Sequence, residues 1–156
     1  MTTARDLHRT AVYQAEDQWS AILDRGGSVD FFGSTIQAPV QLRFGSLEDA
    51  RIYTAKIVAD LGLPEVHVRH RKGGTRAHYS DGVIAIPSNQ PWAMRESVVL
   101  HEIAHHVCIT QHESAMHDAH FTASLLLLVE YRLGSEAALL LRTGYQASGV
   151  PIVVSA

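Results

Sequence analysis

Apolar residues return at three- and four-residue spacing over positions 4 to 25, at Leu7, Ala11, Ala15, Trp19 and Ile22. That spacing predicts a helix, and Gly26-Gly27 ends it. The next stretch, FFGSTIQAPVQLRF, is rich in β-branched and aromatic residues, which predicts extended chain around 34 to 44 with an interruption at Pro39. Ser46 is placed to cap a helix from Leu47 to about Leu61, with Glu48 and Asp49 in its first turn and Gly62 and Pro64 stopping it. VHVRHRK alternates Val66 and Val68 with polar residues, as a strand does. RAHYS and GVIAIP, joined by Asp81-Gly82, read as two further short strands. Pro87, Asn89 and Pro91 mark a loop, after which helical patterns cover about 94 to 109, 117 to 132 and 135 to 147. Gly134 breaks this run, and Gly149 and Pro151 close it.

The order of helix, strand, helix, small sheet and three helices predicts an α+β fold. Neither repeats nor a linker interrupt it, so the expectation is a single domain over 1–156. A hydrophobic content of 46% with 19% charged residues supports a packed core. A formal charge of −3 argues against a surface devoted to nucleic acid. The one cysteine, Cys108, has no partner for an internal disulfide. The start of the chain lacks the apolar core of a signal peptide, and the apolar run Leu125 to Val129 is too short to span a bilayer. The expected location is the cytoplasm, away from any membrane.

The chemistry concentrates in residues 100 to 121, LHEIAHHVCITQHESAMHDAHF, which hold six of the ten histidines. His101-Glu102-Ile103-Ala104-His105 is HExxH. On a helix, residues four apart differ by about 40° in direction and one turn in height, so both imidazoles can face one ion. Glu102 lies beside them, in reach of a metal-bound water. Catalytic zinc takes three protein ligands, keeps one open position and lowers the pKa of its water to about 7. Glu102 then serves as general base and afterwards as general acid.

The third ligand is not set by the helix alone. The elongated pattern HExxHxxGxxH is excluded, because Cys108 and Gln111 stand where it needs glycine and histidine. On a continuing helix His112 is about 16 Å along the axis from His101, too far to share an ion. Glu130 is the downstream glutamate that another class would use, near the end of a leucine-rich helix. His117 and His120 remain, both expected at the start of the next helix after a connection over roughly 110 to 116. Geometry leaves the two equal. His106 points about 100° away from His105 and reads as a residue that supports the ligands from behind or as a structural one, and Cys108 reads as a small buried hydrophobe rather than a metal neighbour.

HExxH followed by a short loop and H-x-x-x-F resembles the small SprT-like and minigluzincin-like zinc metallopeptidases. Here the second element is His117-Asp118-Ala119-His120-Phe121, with Asp118 where the pattern usually has glycine. Over most of the chain the sequence also resembles a family of small metallohydrolases from actinobacteria and their phages. The pieces that carry this are AVYQAEDQW, RAHYSDGVIAIP, AMRESVVLHEIAHH, HDAHFTASLLLLVE and LLLRTGYQASGV. The resemblance implies a zincin-like fold, with N-terminal helices and a small, mostly antiparallel sheet packed on the HExxH helix and helices after it. It makes His117 the third ligand beside His101 and His105, with one zinc ion per chain. It also brings forward His78, Tyr79 and Tyr145 as oxyanion donors, of which His78 is favoured.

GVIAIP is expected to be the edge strand along which an extended peptide pairs. Arg69, Arg71, Lys72 and Arg76 form a basic stretch around Gly73-Gly74, read as a solvated hairpin tip rather than a nucleic-acid surface. The leading expectation is a zinc-dependent hydrolase acting on a peptide or protein, with Glu102 and His78 as catalytic residues. Two other classes are a non-catalytic metal-bound module that binds a peptide, and a metal-free scaffold with core histidines.

Overall fold

A computed structural model describes residues 5–153. Residue 4, where the periodicity starts the first helix, lies outside the described residues, as do the two ends of the expected domain. The fold is α+β, with five α-helices and two small sheets among the described residues. The chain forms two compact units, Leu42–Glu113 and a discontinuous one of Met1–Gln41 with Ser114–Ala156.

In the discontinuous unit, α1 (Arg9–Arg25) starts five residues later than its periodicity suggests. Leu7 is 74% exposed, so it was not part of a buried stripe. The buried face is Val12, Ala15, Glu16, Trp19, Ser20 and Leu23, turned by about one residue from the expected one. Next comes an antiparallel hairpin of β1 (Gly27–Phe31) and β2 (Ser34–Ala38), which stops before Pro39. Only its second strand was legible. β1 reads GSVDF and buries neither face, so it carries no apolar alternation. Phe32 and Gly33 turn the hairpin with positive φ (51° and 86°), without the Asn-Gly or Asp-Gly that usually marks such a turn. Helices α4 (Ala119–Leu133) and α5 (Ser135–Ala147) share Gly134, whose φ of 97° separates them. The Trp19 indole N–H donates to Ala137 O at 3.0 Å, tying α1 to α5.

In the continuous unit, α2 (Leu47–Asp60) begins as expected. The Ser46 Oγ accepts the Asp49 N–H at 3.1 Å. The sheet has the order β3-β5-β4, from β3 (His67–His70), β4 (His78–Ser80) and β5 (Val83–Ile86). β3 runs parallel to β5 and β4 antiparallel to it, so this sheet is mixed. GVIAIP is therefore the central strand, not the edge. Its composition agrees: Ile84, Ala85 and Ile86 are all at most 2% exposed, the continuous apolar run of a strand paired on both sides. Asp81 and Gly82 (φ 47° and 77°) make the two-residue turn from β4 to β5.

A 3₁₀ turn, Pro91–Ala93, leads into α3 (Glu96–His112). Buried Glu96 pins the start of this helix. One carboxylate oxygen accepts the Leu42 N–H at 2.9 Å and the other accepts the Tyr53 hydroxyl. Every residue from Val99 to Cys108 is buried. Each large aliphatic side chain among them contributes about 1.5–3 kcal/mol by leaving water. Among the described residues no helix is long and apolar enough to cross a membrane.

Candidate metal centre

His101 and His105 lie one turn apart on α3, 5% and 7% exposed, with ring centroids 5.0 Å apart and planes at 71°. This is the face-sharing pair that HExxH spacing dictates. Glu102, between them in sequence, is 2% exposed. α3 is helical through His112, so the distance argument against that residue as a ligand holds.

His106 is built differently. Its Nε2 lies 2.7 Å from Pro64 O and its Nδ1 lies 2.8 Å from the Tyr79 hydroxyl. A carbonyl only accepts, so Nε2 carries a proton; in the neutral ring Nδ1 then accepts from the Tyr79 O–H. Both ring nitrogens bond to protein groups, which makes His106 a structural residue.

The same contact separates Tyr79 from His78. Tyr79 faces α3: besides bonding His106, its ring stacks over His105 at 6.4 Å and 14°. Successive strand residues face opposite sides, so His78 lies on the other face of the sheet, where it is exposed. The structure does not bring His78 to the α3 histidines. Sequence patterning missed this because the alternation in RAHYS fixes two faces without saying which meets α3. Tyr79 is not an idle donor, since its proton is directed at His106. Burial raises its pKa, with the Gly82 N–H pulling the other way and Asp81 adding to the rise. Tyr145 is fully buried and donates to Glu16 Oε2 at 3.1 Å; burial first, then Glu16, pushes its pKa well up. It is a core residue of the discontinuous unit.

In that unit, His117 precedes α4 instead of lying on it. Asp118 is the N-cap, and its carboxylate accepts the N–H groups of His120 and Phe121 at 3.1 and 3.0 Å. Burial raises the Asp118 pKa, but the bonds from the Ser114 hydroxyl, Phe121 and His120, with the charge of His120, outweigh it and hold the carboxyl below its usual value. An aspartate at 118 thus has a local task that the usual glycine could not perform. His120 falls in the first turn of α4 and is half-buried.

The His117 ring is 6% exposed, between Tyr13 (5.1 Å, 53°) and Phe121 (5.0 Å, 69°). Its Nδ1 lies 2.8 Å from Asp6 Oδ2, and its backbone N–H donates to Asp6 Oδ1 at 3.1 Å. No motif points to Asp6, which is 111 residues from its partner. Glu130 is exposed on α4. Of the basic stretch, Arg69, Lys72 and Arg76 are exposed, while Arg71 donates to the Arg76 carbonyl, as in a solvated tip folded on itself. Cys108 is fully buried. No family model, curated protein or solved structure matches the chain.

Proposed function

We propose that this protein is a zinc-dependent hydrolase of zincin-like fold, acting on a peptide or protein, with His101, His105 and His117 as metal ligands. One observation carries the reading: on α3 the buried rings of His101 and His105 share one face, 5.0 Å apart, with buried Glu102 between them in sequence; His117 is assigned as third ligand from the H-x-x-x-F pattern that follows. Three neutral imidazoles suit zinc, and an ion held by them would supply an acidified water and a Lewis acid for a carbonyl. Glu102 accepts the proton of the attacking water and returns it to the leaving group. Its burial at 2% exposure gives a weakly screened site for that transfer.

Elemental analysis of untagged protein tests the ligand set. The native chain and His120→Ala are expected to carry about one zinc each, and His117→Ala none. Glu102→Gln is expected to keep the zinc and lose at least roughly 100-fold in turnover of a generic casein or peptide-library substrate. Full turnover by Glu102→Gln of a substrate that the native protein cuts would overturn the role given to Glu102.

A further inference from the structure

We propose that Asp6 is a positioning residue that holds His117 in its Nδ1–H tautomer and fixes the direction of the ring. The inference rests on reading His117 as a ligand, and adds to it which nitrogen binds. An ionised carboxylate only accepts hydrogen bonds. Asp6 Oδ2, 2.8 Å from Nδ1, therefore requires a proton on that nitrogen. The neutral ring is left with its lone pair on Nε2, the nitrogen directed away from Asp6.

The second carboxylate oxygen makes this more than a chance contact. Asp6 Oδ1 accepts the His117 backbone N–H at 3.1 Å, so one side chain holds both the peptide and the ring of the same residue. That fixes χ1 and χ2 together. Tyr13 and Phe121 flank the ring and limit its rotation. The pair is well enclosed, with side chains 7% and 28% exposed for His117 and Asp6. Carboxylates behind metal-binding histidines act in this way generally, and losing one typically weakens metal binding 10- to 100-fold.

The test reads the tautomer without metal and the affinity with it. In metal-free protein with ¹⁵N-labelled histidine, held at one pH above the ordinary histidine range, His117 is expected to show a protonated Nδ1 and an unprotonated Nε2. In Asp6→Ala that signature is expected to become a mixture of tautomers, with zinc affinity by chelator competition falling roughly 10- to 100-fold. Asp6→Asn, whose amide oxygen can still accept, is expected to fall between the two and guards against a folding defect in the alanine variant. An Nε2–H tautomer in the native protein overturns the proposal. So does an unchanged tautomer and affinity in both variants. A native protein that shows the Nδ1–H form, loses it in Asp6→Ala and takes up no zinc upholds Asp6's hold on the ring while ending the metal reading.

Discussion

His106 on α3 and His117 ahead of α4 are both buried rings with a bonded Nδ1, yet they are built for different ends. His106 sits between a carbonyl and a phenol, so each of its nitrogens is matched by a protein group. His117 faces a carboxylate that directs its Nδ1 proton and leaves the other nitrogen as the basic one. A buried histidine is therefore not informative by itself. What distinguishes the two is the partner of Nδ1: a phenol that donates to it in His106, a carboxylate that sets its proton in His117.

The sharpest way to break this comparison is to remove each ring in turn. His117→Ala is expected to lose all tight zinc uptake while changing chelator-treated stability by less than about 2 kcal/mol. His106→Ala is expected to do the reverse. It strips the Pro64 carbonyl and the Tyr79 hydroxyl of their partner and opens a cavity, costing roughly 2–4 kcal/mol in urea unfolding, while the folded protein still takes about one zinc. Equal zinc loss in both would show that the two rings are not different in kind.

A finer probe removes only the phenol. Tyr79→Phe takes the donor from His106 Nδ1 but keeps the ring over His105. The expected cost is about 1–2 kcal/mol of stability, with zinc affinity within roughly threefold of native. A larger affinity loss with little change in stability would make Tyr79 part of the metal site instead of a brace for α3.

The smallest effect concerns the cap beside His117. Asp118→Ala should cost about 1 kcal/mol, the usual value of an N-cap, in metal-free protein near neutral pH. The Asp118 pKa is lowered by folding, so its contribution is complete above its ordinary value of 3.8 and fades as pH falls through the lower folded value. The gap between native and variant in thermal unfolding is expected to narrow in strong acid. A gap that widened there would assign Asp118 some other task than capping.

Much of this was legible because local rules dominate locally. Ser46, Asp81-Gly82 and Gly134 each announced the turn or cap they make, and HExxH announced the His101–His105 pair through helical period alone. The misses share a different cause. The centrality of β5 depends on which strands flank it, and the outward face of His78 depends on where α3 packs. β1 formed without an apolar pattern because hairpin hydrogen bonds, not burial, hold it. Asp6 reaches His117 across most of the chain, and no window of sequence contains both.

The discontinuous unit also has a consequence in time. A ribosome releases Leu42–Glu113 as one unbroken stretch, whereas α1 and the hairpin must wait for Ser114 and beyond to complete their own unit. At about 5–20 residues per second, the 111 additions that lead from Asp6 to His117 take on the order of 10 s. Throughout that interval the first-made half of the pair exists without the second. The whole of α3 is therefore synthesised before the Asp6 carboxylate has anything to hold.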